Sequence, residues 1–179
     1  MVKPLSFIPN QWSPCLQTLE GHDHHSPVVS VTFSHDGTKI ISGSLDGTVQ
    51  LWDAVTGTFL KTFALAGHYG SVALIAVSFD DSMIVSSSAN GVKDIMRVWD
   101  MVTGALLQIL ESHSVILSLA CSTTKHRVVS SSDSKVIQIW DILDGIILRR
   151  LYRHTSKVAS IAFSINGEWI VSSGHNHTV

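Results

Sequence analysis

Only 15% of the 179 residues are charged, and 12 lysines and arginines against 14 acidic residues leave a formal charge of −2 with both signs scattered. A nucleic-acid binder needs a basic stripe to neutralise phosphates, so no nucleic-acid partner is expected. Cysteine is scarce: Cys15 and Cys121 cannot make a disulfide framework and lack metal-thiolate spacing, which fits a reducing compartment. No apolar run approaches the roughly 18 residues of a membrane-crossing helix, so no transmembrane segment is expected. Residues 1–12 contain Lys3, Pro4 and Pro9 and no sustained apolar stretch, so a secretory signal is not expected and a cytoplasmic location is. There is no Gly-x-Ser-x-Gly elbow, no phosphate-cradling glycine loop leading into a helix, and no convincing helical periodicity. Three of the four prolines, Pro4, Pro9 and Pro14, fall in residues 1–14, which read as an extended lead-in.

What the sequence has is repetition. The pairs Trp52-Asp53, Trp99-Asp100 and Trp140-Asp141 lie 47 and then 41 residues apart, and Gly21-His22, Gly67-His68, Ser112-His113 and Arg153-His154 each precede a strand-like run. A period of this size signals stacked supersecondary units. Residues 15–179 are therefore one array, with units ending near Asp53, Asp100 and Asp141 and a fourth, truncated one from His154; the sequence stops at Val179, about three residues before the next Trp would fall.

Within a unit, Val29, Val31 and Phe33 alternate with Ser30 and Thr32, the period-2 mark of a strand. Asp36-Gly37, Asp46-Gly47 and Thr56-Gly57 supply turns, since glycine takes the positive φ that tight turns need. The second strand carries adjacent apolar pairs, Ile40-Ile41, Ile84-Val85, Val128-Val129 and Ile170-Val171. Neighbours on a strand point to opposite faces, so both faces must be covered. Phe59–Phe63, Leu106–Leu110 and Ile147–Leu151 read as fourth strands, and Cys15–Leu19 resembles them. Four short antiparallel strands covered on both faces by neighbouring units describe a propeller blade.

Gly-His, a strand ending Phe33-Ser34-His35-Asp36-Gly37, the turn Ser42-Gly43-Ser44-Leu45-Asp46-Gly47 and Leu51-Trp52-Asp53, in that order, resemble the WD40 repeat family. The fold class that this implies is all-β: a WD40 β-propeller segment of three complete four-stranded blades and a partial fourth, an incomplete ring. The run Trp12 to His22 is similar to the start of the WD-repeat tail of fungal NACHT-type vegetative-incompatibility and innate-immunity proteins. The family resemblance further implies a buried chain of His, Ser, Asp and Trp in each blade. Carried over, the first copy supplies His22, Ser42, Asp46 and Trp52; the second His68, Ser86 and Trp99, with Asn90 at the Asp position and an insertion before Asp94. The third supplies His113, Ser130 and Trp140 with Ser134 at the Asp position, and the fourth His154 and Ser172 followed by Asn176. It also places Leu45, Ala89, Asp133 and His175 on a rim that could meet a partner.

A His-Ser-Asp chain invites comparison with a hydrolase triad, but a nucleophile must be exposed, and here the motif recurs and its Ser is tied to a core Trp. The chain is read as structural and no enzyme is expected. His22-Asp23-His24-His25 and His175-Asn176-His177 lack the spacing of a metal site, so neither metal nor cofactor is expected. Lys125-His126-Arg127 and Arg149, Arg150 and Arg153 read as solvated turn and edge positions. The expected function is a protein-interaction scaffold, the recognition part of a larger fungal receptor-like protein. The alternatives are an adaptor in another complex, as in mitochondrial fission, or a gene fragment without autonomous function. Open blade faces predict self-association, because each 200 Å² of bare apolar surface forfeits about 5 kcal/mol.

Overall fold

The computed structural model describes residues 17–63, 71–89, 95–112, 114–176 and 178. The lead-in 1–14 lies outside them. The first sheet runs β1 (Val28–Phe33), β2 (Lys39–Ser44), β3 (Val49–Asp53), β4 (Phe59–Phe63), and the second β5 (Ser71–Val77), β6 (Met83–Ala89), β7 (Ile95–Asp100), β8 (Leu106–Glu111). The third runs β9 (Ile116–Cys121), β10 (Arg127–Ser132), β11 (Ile137–Asp141), β12 (Ile146–Leu151), and a two-stranded sheet holds β13 (Val158–Phe163) and β14 (Ile170–Gly174). Strands pair antiparallel in chain order, as turns of a few residues require. The all-β, unclosed propeller architecture read from the repeat is the one found, with no helix among the described residues.

The adjacent apolar pairs explain the stacking. Ile41 joins Val49, Leu51 and Phe63 against Val72, Ile75 and Val77 of the second blade, while Ile40, its neighbour, turns the other way to meet Trp52, Ala54 and Leu19. Ile84 faces the first blade and Val85 the third, and Val128 and Val129 divide in the same way between the second blade and the fourth. Burying both faces of a strand needs both residues of the pair apolar, since a polar member would lose its water without a partner.

A bulge recurs where the tryptophan sits: the register slips between Leu51 and Trp52, Val98 and Trp99, and Ile139 and Trp140. The extra residue, Leu60, Leu107 or Leu148, lies on the outer strand opposite the tryptophan and bends that strand. In the turns ahead of β2 and β14, Gly37 and Gly167 take φ of 69° and 67°, and ahead of β6 Asp81 takes the same left-handed conformation at 56°.

One expectation is revised. Cys15–Leu19 reads as a strand, yet its described part, Gln17–Leu19, forms no ladder. Instead Gln17 Nε2 donates to Thr56 O at 2.8 Å and Leu19 lies on Trp52. The equivalent outer-strand residues do the same one blade on: Lys61 Nζ donates to Val102 O and Gln108 Nε2 to Leu143 O. Gln17–Leu19 thus occupies the place of a preceding blade's outer strand, and among the described residues no third strand stands beside it to complete a ladder.

Candidate functional site

The first blade assembles its four polar residues from four places: His22 in the loop before β1, Ser42 on β2, Asp46 in the β2–β3 turn and Trp52 on β3. Trp52 Nε1 donates to Ser42 Oγ at 2.9 Å, which leaves the Ser42 hydroxyl proton for His22 Nε2 at 2.7 Å. His22 Nδ1 therefore carries the ring proton and donates to Asp46 Oδ2 at 2.9 Å. Thr48 closes the far end, its Oγ1 lying 2.6 Å from Asp46 Oδ1 and 3.0 Å from His22 Nδ1. Burial raises the Asp46 carboxyl, but the Thr48 hydroxyl and N–H, the Asp23 N–H and His22 together hold it below the ordinary carboxylate range. Every buried donor has an acceptor, which is what holds such a network in one geometry.

The same chain is rebuilt with substitutions elsewhere. Trp99 Nε1 donates to Ser86 Oγ at 2.9 Å and Trp140 Nε1 to Ser130 Oγ at 3.0 Å; His68, Asn90, Asp94 and His113 lie outside the described residues. Ser134, at the Asp position of the third blade, bonds Ser114 and Ser132, each at 2.8 Å. In the fourth sheet His154 Nε2 meets Ser172 Oγ at 2.8 Å and its Nδ1 meets Asn176 Oδ1 at 3.1 Å, so an amide oxygen takes the carboxylate's place. Ser42, 6% exposed and engaged by both indole and imidazole, has no free face for a substrate. Among the described residues no three His, Cys, Asp or Glu side chains converge as a metal requires.

Leu45, Asp133 and His175 occupy one structural position. Each opens the turn after its blade's second strand and donates its N–H to the residue just ahead of the inner strand: Pro27 O at 3.0 Å, Val115 O at 3.1 Å and Lys157 O at 2.9 Å. Leu45 and His175 are exposed and Asp133 is half-buried. Ala89 ends β6 opposite Ser71, and its side chain lies outside the described residues. A fixed backbone thus carries an apolar, an acidic and an imidazole side chain along one rim.

At the other end of the sheets are contacts that the repeat does not announce. Asp81 reaches back to the first blade and accepts the N–H groups of His35 at 2.7 Å and Asp36 at 3.0 Å. The signal in the sequence is Asp80-Asp81 where the first copy has Asp36-Gly37. His126, read as a solvated turn residue, instead packs on Phe79 of the second blade at 5.0 Å between ring centroids and faces Asp80 at 3.7 Å. Its reason is position: β10 begins one residue later, so the turn is pressed against the second blade. Arg149 and Arg150 are exposed on the outer strand β12. Arg97 is buried at the position held by Gln50 and Gln138 in the neighbouring blades, and burial lowers its guanidinium pKa.

The model of the family described as WD domain, G-beta repeat matches residues 13–53, 104–141 and 145–179. Among curated relatives, the anaphase-promoting complex subunit cdc20 of Dictyostelium discoideum is 26% identical over 92% of this chain and 33% of its own length. The COMPASS component SWD3 of Saccharomyces cerevisiae is 30% identical over 75% of this chain and 44% of its own. The chain spans less than half the length of either relative. Among solved structures, the computationally designed Ika4 protein superposes with a TM-score of 0.74 at 33% identity, covering 93% of this chain and 96% of that one. The RRP9 WD40 repeats share the fold at a TM-score of 0.72 and 20% identity, over 82% of this chain and 44% of theirs. With the repeat, the stacked four-stranded sheets and the Trp-Ser bonds already in place, these matches make the chain a member of the WD40 family.

Proposed function

We propose that this chain is a non-enzymatic protein-interaction scaffold whose partner is read by the rim carrying Leu45, Ala89, Asp133 and His175. WD40 propellers generally serve as such scaffolds, and two relatives are by name members of complexes, the anaphase-promoting complex and COMPASS. The observation that carries the reading is the shared backbone bond of Leu45, Asp133 and His175: position is constant while chemistry changes, as recognition on a rigid frame requires. In the finer form of this proposal the array is the cytoplasmic recognition part of a fungal NACHT-type receptor; the sequence from Trp12 to His22 supports that form.

Quantitative affinity capture tests the rim. A single partner should be recovered by the chain and lost with L45S/D133S/H175S, while a variant at the opposite end, K39S, retains it. Equal recovery by the rim variant and the parent would overturn the assignment.

A further inference from the structure

The inner strands show which surface is unfinished. By register, Val28, Val31 and Phe33 of β1 correspond to Val72, Ile75 and Val77 of β5 and to Val158, Ile161 and Phe163 of β13. Where a preceding blade covers them, Val72 is 0%, Ile75 8%, Val158 0% and Ile161 6% exposed. On β1 the same positions stand at 51%, 68% and 48%. The outer half of that face is not bare, because Leu19 already covers Ile40 and Trp52. What the described residues leave open beside the first blade are therefore the place of a third strand and, inside it, the places of an inner and a second strand.

The fourth sheet is those two strands. At two of the three joints within the chain the following inner strand docks on the first two strands of the blade before it, β5 against β1 and β2 and β13 against β9 and β10, while at the middle joint β9 docks on β5. On β13–β14 the corresponding surface is uncovered, with Ser160 and Ala162 exposed, Val171 at 53%, and a groove of about 90 Å³ lined by these residues with Ser172 and Ser173. A hydrogen bond fixes the register of such joints. Ile75 N donates to Ser30 Oγ at 3.2 Å and Ile161 N to Ser118 Oγ at 3.3 Å. Ser160 is the counterpart of Ser30 and Ser118, and Val31 of Ile75 and Ile161.

From this we infer that a second copy of the chain covers β1: the β13–β14 pair of one copy docks on β1 of the next, Val31 N–H donating to Ser160 Oγ across the joint. The segment Gln17–Leu19 of the receiving copy then lies outside β13–β14, in the place of their blade's outer strand. The joint repeats the form of the first and third interfaces within the chain, and it is head-to-tail, so it closes when the rotation permits. Two copies of four sheets make a ring of eight, within the range that propellers form.

Sedimentation velocity on the full 179-residue chain tests this. The expected species is a discrete dimer of twice 19.5 kDa. V31D, at a site exposed in the single chain, should yield a monomer with unchanged far-ultraviolet circular dichroism, and V31D/S160K should restore the dimer, because every joint brings one such pair together. A folded monomer across the accessible concentration range would overturn the inference and leave the uncovered face to blades of a longer chain. An oligomer indifferent to V31D would overturn it as well. Neither result decides the rim reading, whose residues Leu45 and His175 adjoin the joint without Val31 or Ser160 and are tested by their own variants.

Discussion

Replacing Ser42 with alanine removes one oxygen and strands two groups. Trp52 Nε1, on a side chain 2% exposed, loses its only acceptor, and His22 Nε2, on a side chain 7% exposed, loses the hydroxyl donor at 2.7 Å. A buried polar group left without a partner costs about 1–3 kcal/mol, so with two groups stranded S42A should destabilise by about 2–6 kcal/mol. S172A provides the comparison: Ser172 is half-buried and bonds His154 without an indole, so its loss should cost about 1 kcal/mol. Urea denaturation at one protein concentration measures both, and the midpoint should fall further for S42A with little change in slope. W52F supplies the cross-check. Without the indole N–H, the S42A penalty should shrink by about 1–3 kcal/mol, and additivity of the two substitutions would refute the Trp-Ser bond as the source of the effect.

Three further expectations concern other parts of the array. D81A keeps the left-handed backbone and loses both bonds to the first blade, whereas D81G relieves the backbone, so both should destabilise, D81A by about 1 kcal/mol more; a D81G midpoint above wild type would mean the inter-blade bonds contribute nothing net. The Asp46 carboxylate, lowered in the folded state, contributes stability that is present above the ordinary value of about 4 and lost as pH falls through the lower folded value, so D46N should flatten the acid limb of stability against pH below about 4. An unaltered acid limb would count against the network. Cys121 is half-buried against the core between the second and third blades, and desolvation pushes its thiol up to about 12, so in a C15S background it should react with thiol-disulfide reagent at pH 8 more slowly while folded than in denaturant. Labelling of the native chain at the unfolded rate would show that the space between the second and third blades is open.

The all-β array was legible because two periodicities coincide: the Trp-Asp spacing counts the blades, and the paired apolar residues such as Ile84-Val85 show that each blade is covered twice. The first network was legible through the family resemblance, which carries Asp46, His22 and Ser42 together although they are far apart in sequence. The fold of Gln17–Leu19 was not, since its composition matches the outer strands while among the described residues no third strand stands beside it to form a ladder. Asp81 was hidden for a related reason: a carboxylate in a surface turn looks solvated until the neighbouring blade's turn brings two N–H groups within 3.0 Å. His126 sits in a basic triplet, and its contact with Phe79 depends on how closely two blades approach rather than on either segment alone. Contacts between repeats are set by stacking geometry, which the pattern inside one repeat does not encode.

The repeated docking of an inner strand on the blade before it has a mechanical meaning. A blade held mainly by its neighbours resists tension as one unit and yields as one unit, so pulling the chain by its ends should produce discrete rips rather than a smooth extension. At about 3.4 Å per extended residue, release of a four-stranded blade should lengthen the tether by roughly 140–160 Å, less the thickness of the blade, and release of the two-stranded sheet by clearly less. The fourth sheet, held by one hairpin and one neighbour, should go first and at the lowest force, and the array would then fray inward from that end like a spring losing its last coil.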